Sequence, residues 1–191
     1  PIILLTGSAG GGKTKLAAEK VTAFMLHYPG ARGLLIRKAR EFATKSMVPA
    51  IKATVRDEEG GTPLAVYKKA DLQFQYGNGS MAGVAGVRDE NQREALRSMF
   101  EKGGADFIWV EEANSLTWED FQELRVRMRG TAAGWRQIIL STNPGGPSHW
   151  IKRQLIDGGM ARVYHSSALN NPYNPPDYIE TLNSLTGVQY E

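Results

Sequence analysis

Near its start the chain reads Ile2-Ile3-Leu4-Leu5-Thr6-Gly7-Ser8-Ala9-Gly10-Gly11-Gly12-Lys13-Thr14. The apolar run predicts a buried strand, and the part from Gly7 to Thr14 fits the pattern G-x-x-x-x-G-K-[ST] at every fixed position. In such a loop, backbone N–H groups and the positive end of the following helix face an anion, and the lysine adds a full charge. A glycine-rich turn with an incidental lysine is the alternative, but the preceding strand and the amphipathic stretch that follows favour a phosphate site. The motif therefore predicts a nucleoside triphosphate bound by Gly7, Ser8, Ala9, Gly10, Gly11, Gly12, Lys13 and Thr14.

The composition is that of one globular domain. The chain has 191 residues, of which 41% are hydrophobic, and this is enough for a single core. The net charge of +3 and the sequence pI near 9.2 allow a nucleic-acid partner without requiring one. The absence of cysteine excludes disulfides and thiolate metal sites, and no apolar run approaches the roughly 20 residues that span a bilayer. These features predict a soluble intracellular protein, and the strand close to residue 1 suggests a piece of a longer chain.

Apolar runs with strand character alternate with helical patterns, which is typical of βαβ units and a mainly parallel sheet. Strands are predicted at residues 2–5, 34–36, 107–110 and 138–140. Helices are predicted from the loop to Tyr28, over residues 41–55, and from a capping box of Thr117 and Asp120. The pattern therefore predicts an α/β fold with a sheet flanked by helices, and residues 58–63 as an exposed loop.

A different pattern appears at residues 71–76, where polar and apolar residues alternate strictly. Asn78-Gly79 follows, and this dipeptide is the strongest short-range signal of a β-hairpin. Residues 80–84 supply a second arm. We therefore predict a β-hairpin added at the edge of the parallel sheet.

Two adjacent carboxylates, Glu111 and Glu112, follow the buried strand at residues 107–110. In phosphate-loop enzymes a strand beside the loop delivers one acid to Mg²⁺, and a second acid polarises the attacking water in the hydrolytic subclass. We assign Glu111 to Mg²⁺, although Asp is more usual there, and Glu112 to the water. Asp106 is the rival candidate, but it precedes the apolar run and so belongs at the other end of the strand. A solvated loop is the structural alternative to both roles.

A further strand, at residues 138–140, ends in Ser141, Thr142 and Asn143. Ligand-contacting residues in an open α/β sheet belong at the carboxyl ends of strands. Asn143 is therefore a candidate to hydrogen-bond the attacking water or the γ-phosphate. The alternative is that Asn143, Pro144 and Gly145 form only a turn, because all three are turn residues.

Beyond the phosphate loop, the chain carries a series of short motifs in a definite order. They are Leu35-Ile36-Arg37-Lys38, Asn78-Gly79-Ser80, Gly86-Val87-Arg88-Asp89 with Leu96-Arg97-Ser98, Trp109-Val110-Glu111-Glu112-Ala113, Thr142-Asn143-Pro144 with His149-Trp150, and Tyr164-His165-Ser166 with Asn170-Asn171-Pro172. In this order they resemble the ATPase (motor) domain of tailed-bacteriophage terminase large subunits, which package DNA. The resemblance covers essentially the whole chain, and it implies a P-loop NTPase fold of the ASCE (RecA-like) type.

The resemblance also implies a role for each site residue. Lys13 and the loop amides would hold the β- and γ-phosphates of ATP, and Thr14 with Glu111 would hold Mg²⁺. Glu112 would activate water, and the Ser141–Asn143 element would couple hydrolysis to movement of DNA.

An arginine from a neighbouring subunit is a further expectation, because motors of this kind resemble other ring ATPases that neutralise transition-state charge in this way. The family pattern places this residue at Arg97. For Arg37 and Arg40, the sequence leaves two alternatives: they sense the phosphate, or they form part of a hinge. The competitors for the role in trans are Arg93, Arg125, Arg127 and Arg129.

The implied partners are double-stranded DNA, a portal, a small terminase subunit and further copies of the chain in a ring, with no membrane. The implied location is the host-cell cytoplasm, transiently at the procapsid portal. The DNA-contacting surface is open between the basic residues at 125–129 and those at 152, 153 and 162. The whole chain would be one P-loop ATPase domain without a nuclease domain, so no DNA cleavage is expected. A small-molecule kinase and an ATP-dependent assembly switch are the alternatives.

Overall fold

The computed structural model describes residues 1–56, 62–99, 103–143 and 145–184. Most of the predicted loop at residues 58–63, and Pro144, lie outside the described residues. The strands are β1 (Ile2–Gly7), β2 (Arg32–Arg37), β3 (Ala65–Lys68), β4 (Gln73–Tyr76), β5 (Met81–Gly86), β6 (Phe107–Glu111), β7 (Gln137–Thr142) and β8 (Arg162–Ser166). The helices are α1 (Lys13–His27), α2 (Arg40–Thr54), α3 (Glu90–Met99), α4 (Trp118–Val126) and α5 (Pro176–Ser184), and a π-helical segment spans Ile151–Asp157.

The strands form one eight-stranded sheet in the order β3-β4-β5-β2-β6-β7-β1-β8. The strands from β5 to β8 in this order pair in parallel, whereas β4 pairs antiparallel with both β3 and β5. The predicted parallel sheet and its added hairpin are therefore confirmed. The carboxyl ends of β1, β6 and β7 meet at one edge of the sheet because these strands are parallel neighbours.

Two details of the sheet differ from the prediction. The outermost strand β3 and the opposite edge strand β8 were not predicted, because both are short and neither has the long apolar run of a strand buried on both faces. The first predicted arm begins later than expected, at Gln73, because Leu72 adopts a left-handed backbone with φ 52° in the preceding turn. The acidic strand β6 is separated from β1 by the inserted strand β7, in agreement with the ASCE arrangement that the resemblance implies.

Helices cover both faces of the sheet, and successive strand residues alternate between the two cores. Leu5, Leu35 and Trp109 face the core that α1 and α2 complete. Leu4 and Val110 face the other core, which includes residues of α3, α4 and the π-helical segment. The near-continuous apolar runs of these strands thus follow from burial on both faces.

The helix boundaries agree closely with the prediction. Helix α1 ends at His27, with Tyr28 as its C-cap, and α2 begins one residue earlier than predicted and continues through Pro49. At the start of α4 the Thr117 hydroxyl and the Asp120 carboxylate form the predicted capping box. Among the helices of the described ranges, none has the length and apolar character needed to cross a membrane.

Candidate active site

The loop between β1 and α1 is built around glycines that adopt conformations other residues avoid. Gly10 and Gly12 both have φ 77°, and Gly7 has φ 139°. A Cβ atom at Gly7 would lie 1.7 Å from the backbone oxygen of Ser166 on β8. The loop can therefore leave β1 in this direction only with glycine at position 7.

Lys13, the first residue of α1, turns its ammonium group back into this loop. Its Nζ donates to the backbone oxygens of Gly7 at 2.8 Å and Ser8 at 2.6 Å, and to Asn143 Oδ1 at 3.2 Å. Burial lowers the pKa of Lys13 below its usual value because desolvation penalises the charged form. A phosphate beside this group would favour the charged form and reverse that effect.

Thr14 and Glu111 meet across the same edge. The Thr14 hydroxyl donates to Glu111 Oε1 at 3.0 Å, and Glu111 is the last residue of β6 and only 7% exposed. A hydroxyl and a carboxylate are the oxygen ligands that Mg²⁺ takes in nucleotide sites, so the pair fits the proposed metal. The structure thus brings together the residues that the sequence assigned to Mg²⁺.

A third side chain at this position was missed by sequence reasoning. Ser46 of α2 donates its hydroxyl to Glu111 Oε2 and to the backbone oxygen of Phe42. Arg37 at the end of β2 donates to Ser46 Oγ at 3.1 Å. A serine within a helix carries no sequence signal of such a role, although α2 does start where β2 reaches the carboxyl edge of the sheet.

Glu112 lies just beyond the end of β6 and has a left-handed backbone, with φ 51° and ψ 51°. This turn directs its side chain away from the buried path of the strand, and 62% of the side chain is exposed. Its Oε2 pairs with Nη2 of Arg37, whose Nη1 also lies 3.8 Å from Glu111 Oε2. One arginine therefore contacts both adjacent carboxylates.

Asp106, the rival acid, has a different role. It is 1% exposed and accepts hydrogen bonds from the backbone N–H groups of Arg32 at 3.0 Å and Ala132 at 3.1 Å. It lies at the amino end of β6, where these bonds connect the start of β2 with the loop at Ala132. This is the edge of the sheet opposite Glu111.

The polar residues at the end of β7 make different contacts, although the sequence alone groups Ser141, Thr142 and Asn143 together. Ser141 Oγ accepts a hydrogen bond from Trp109 Nε1 at 3.0 Å within the core. Thr142 Oγ1 accepts from the backbone N–H of Asn114 at 3.3 Å. Only Asn143 directs its side chain to the loop, where it accepts from Lys13.

A cavity of about 430 Å³ is lined by the loop and by Lys13, Thr14, Glu111, Glu112 and Asn143. Its lining includes two residues that the sequence did not assign, Asn171 and Asn174, which follow β8. Both donate their side-chain N–H groups to the backbone oxygen of Gly10, at 2.7 and 3.1 Å. The Asn170-Asn171-Pro172 stretch was noted in the sequence, but some 160 residues separate it from the loop, so no local pattern indicated this contact.

Arg97 does not line the cavity of its own chain. It lies on α3, pairs with Glu90 and reaches Glu123 Oε1 at 3.4 Å, and its side chain is 49% exposed. Among its competitors, Arg93 pairs with Asp120 and Glu123. A role for Arg97 in the site of a neighbouring copy therefore stays a prediction.

A glycine-rich loop between the first strand and helix, a lysine in the loop and a hydroxyl–carboxylate pair from α1 and β6 define a P-loop nucleoside-triphosphate-binding domain. The inserted strand between β1 and β6 gives it the ASCE, RecA-like arrangement. A model of the phage terminase large subunit family matches residues 1–190, and the chain belongs to this family.

Similar proteins are longer than this chain. The PBSX phage terminase large subunit of Bacillus subtilis (strain 168) is 25% identical over 202 residues, which cover 95% of this chain and 45% of that protein. The chain thus spans about half the length of this curated relative.

Solved terminases share the fold. The large terminase of a thermophilic bacteriophage superposes with a TM-score of 0.80 at 15% identity, over 98% of this chain and 46% of that one. A structure of the same terminase in complex with ATP-γ-S gives a TM-score of 0.75 at 15% identity, over 98% and 45% of the two chains. The ATPase domain of the Thermus phage P74-26 large terminase gives 0.56 at 15% identity, over 99% of this chain and 84% of that one.

Proposed function

We propose that this domain hydrolyses ATP with Mg²⁺ and that hydrolysis drives double-stranded DNA into a viral procapsid. The observation that carries the catalytic part is the convergence of Lys13, Thr14, Glu111, Glu112 and Asn143 on one cavity, with Thr14 and Glu111 joined at 3.0 Å. The packaging part is supported by family membership. The thermophilic-phage terminase in complex with ATP-γ-S supports the choice of nucleotide.

Each residue has a distinct task in this proposal. The loop N–H groups and the Lys13 ammonium bind the β- and γ-phosphates. Thr14 and Glu111 would hold Mg²⁺, which would supply positive charge to neutralise the negative charge that develops on the phosphates. Glu112 orients and deprotonates the attacking water, and Asn143 hydrogen-bonds the water or the γ-phosphate.

Glu112 suits the role of base because it is the more exposed of the two acids, at 62% of its side chain. Glu111 is buried and already engaged by the hydroxyls of Thr14 and Ser46, which fits a metal ligand held in place. The turn that places Glu112 beyond the strand end gives its carboxylate access to water in the cavity. The two adjacent acids thus differ in burial, although Arg37 contacts both.

Arg97 is proposed to act in the site of a neighbouring copy in a ring. It is half-exposed and lies outside the cavity of its own chain. Mixing Arg97→Ala with Glu112→Gln chains tests this role, because a mixed ring can combine an intact Arg97 with an intact Glu112. Recovery of ATPase activity supports the role in trans, and normal ring assembly without recovery contradicts it.

The function is tested by steady-state ATP hydrolysis with and without double-stranded DNA. We expect Mg²⁺-dependent hydrolysis that DNA stimulates, and its loss in Lys13→Ala. Lys45→Ala is the matched control, because Lys45 is exposed on α2. ATP binding without turnover would instead favour an assembly switch, and phosphate transfer to a small molecule would favour a kinase.

The portal, the small terminase subunit and the procapsid are proposed partners on the ground of family membership alone. The basic residues that are candidates for DNA contact differ in the partners that they have within the chain. Arg125 donates to Gln122 at 2.7 Å, Arg127 approaches Glu123 at 3.4 Å, and Lys152 pairs with Asp157. DNA-stimulated hydrolysis in Arg125→Ala and Lys152→Ala variants distinguishes the two surfaces.

A further inference from the structure

Tyr173 is an aromatic residue that the fold leaves in solvent beside the phosphate loop. It is 82% exposed. The ammonium of Lys15 lies 5.0 Å from the centre of its ring, and Lys15 follows Thr14 in the first turn of α1 and lines the phosphate cavity. Because the ring is so exposed, Lys15 covers only a small part of it, and a wide aromatic surface remains open next to a lysine that lines the cavity.

The turn that carries Tyr173 is fastened to the phosphate loop. Asn171 Oδ1 accepts from the backbone N–H of Tyr173 at 3.2 Å. The side chains of Asn171 and Asn174 both bond Gly10, and Asn174 also bonds the backbone oxygen of Ala168 at 2.8 Å. The ring is therefore presented by an ordered turn, which reduces the entropy that stacking on a ligand would cost.

The order of the strands indicates which end of a nucleotide this turn would meet. Glu112 and Asn143, assigned to the water and the γ-phosphate, follow β6 and β7 on one side of β1. Tyr173 follows β8, on the other side of β1. With the γ-phosphate directed to β6 and β7, the nucleoside end of the ligand extends towards β8.

We propose that Tyr173 stacks on the nucleobase of the bound nucleoside triphosphate and supplies its base-binding surface. A planar base has an apolar face that the polar phosphate cavity does not match, whereas an exposed tyrosine ring does. Lys15, in the first turn of α1 with its ammonium against the ring, adds positive charge between the ring and the phosphate cavity. The proposal rests on the proposed function in one respect, the binding of a nucleotide at this loop.

A second surface near the loop also carries a tyrosine, and it provides a control for the role of Tyr173. A groove of about 460 Å³ between α1 and β8 is lined by Leu16 and Tyr164 and shares Gly12 and Lys13 with the phosphate cavity. Its lining also includes Ile3 and Leu5, which place it along the face of the sheet beneath the loop. The Tyr164 ring already carries the guanidinium of Arg162 at 5.4 Å. Tyr164 is thus a matched tyrosine, 45% exposed, that the proposal leaves without a role.

The test compares ATP with inorganic tripolyphosphate, which has the phosphates and no base, by isothermal titration calorimetry in the presence of Mg²⁺. We expect Tyr173→Ala to weaken ATP binding by about 5-fold to 20-fold, the lower range of stacking on one base. Tripolyphosphate affinity is expected to stay unchanged. Tyr173→Phe should bind ATP like the wild type because the ring is kept, and Tyr164→Ala should bind both ligands like the wild type.

Three results would overturn the proposal. Equal weakening of both ligands by Tyr173→Ala would show that the residue acts through the loop, and unchanged ATP affinity would show that it does not touch the base. If Tyr164→Ala lost affinity for ATP but kept its affinity for tripolyphosphate, the base would be placed in the groove. All three leave nucleotide binding intact in the wild type, so they contradict the role of Tyr173 without contradicting the proposed function. Failure of the wild type to bind either ligand would overturn both.

Discussion

The guanidinium of Arg37 pairs with the carboxylate of Glu112, the side chain assigned to the attacking water. Arg37 is anchored at the end of β2 and its side chain is only 13% exposed, whereas 62% of the Glu112 side chain is exposed. The arginine is therefore the more fixed partner, and it determines where the carboxylate lies. The position of the proposed base thus depends on a residue from a different strand.

Replacing Arg37 should disturb both acids. We expect Arg37→Ala to lower kcat by about tenfold, which is less than the loss of about 10² to 10⁴ ascribed to removing a general base itself, because Glu112 stays in place while it and Ser46 lose a shared donor. The same change in a Glu112→Gln background should cost little more, since residues that act through one another are not additive. Steady-state kinetics of the two single variants and the double variant measure this. Additive effects would show that Arg37 acts independently of Glu112, and Arg56→Ala is the control at an exposed arginine that follows α2.

Ser46 should control metal affinity without touching the metal. Its hydroxyl holds the Glu111 oxygen that Thr14 does not contact. Loss of a group that orients a metal ligand typically weakens metal binding by about 10-fold to 100-fold. We therefore expect Ser46→Ala to raise the Mg²⁺ concentration for half-maximal hydrolysis by about tenfold.

Ser98→Ala provides the comparison for this change, because Ser98 is an exposed serine on α3 whose hydroxyl donates to the backbone oxygen of Ala95 in the same helix. An unchanged Mg²⁺ requirement in Ser46→Ala would contradict the role of Ser46 as a positioning residue for Glu111.

Asp120 should be a major contributor to stability. It is 1% exposed and accepts from Lys38 Nζ at 2.7 Å, from the backbone N–H of Thr117 at 2.9 Å, and from Arg93. Burial by itself raises the pKa of Asp120, but the hydrogen bonds from Lys38, Thr117 and Arg93 outweigh it and hold the pKa below its usual value. Asp120→Asn should lower the free energy of unfolding by about 3 kcal/mol, as when one partner of a buried ion pair is removed.

The pH dependence of this contribution has a definite sign. Because the folded pKa lies below the unfolded value of about 3.9, the stabilisation is complete above that pH and is lost as the pH falls below it. Urea unfolding at pH 7 and near pH 3 measures how much the free energy of unfolding falls in acid. This fall should be smaller in Asp120→Asn than in the wild type. Asp71→Asn, at an exposed turn residue, is the control and should behave like the wild type. If Asp120→Asn were as stable as the wild type at pH 7, the prediction would be refuted.

Gly7 should tolerate no side chain. A Cβ atom would overlap the backbone oxygen of Ser166, and φ of 139° is a conformation that glycine almost alone adopts. We expect Gly7→Ala to lower the free energy of unfolding by about 3 kcal/mol, with strain and overpacking combined. Gly30→Ala has a positive φ of 74° but open space around it, and it should cost only about 1 kcal/mol. Equal costs for the two variants, measured by thermal denaturation, would be inconsistent with the close approach of β8.

The central strands could be predicted from the sequence because burial on both faces makes them near-continuous apolar runs. The phosphate loop could be predicted because its spacing and glycines serve a local need. Strands β3 and β8 could not, since they are short edge strands without a long apolar run. The insertion of β7 between β1 and β6 is a property of topology, which no local pattern encodes.

The site was predicted to the extent that its residues lie at strand ends or in the loop. Glu111 was found because it ends a buried strand, and Asp106 was rejected on the same reasoning, in agreement with its contacts. Ser46, Asn171 and Asn174 were missed because they reach the site only through the fold. The pairing of Glu112 with Arg37 was missed for the same reason, since each end of that contact lies on a different element.

The proposed hydrolysis depends most on Glu112 as the base that activates the attacking water. The most direct measurement is single-turnover hydrolysis of Mg·ATP by Glu112→Gln, with ATP affinity measured on the same protein and Glu94→Gln as the control at an exposed glutamate of α3. We predict that ATP affinity is retained while the rate of the chemical step falls by a factor of about 10² to 10⁴. Hydrolysis by Glu112→Gln at a rate close to that of Glu94→Gln and the wild type would contradict the account.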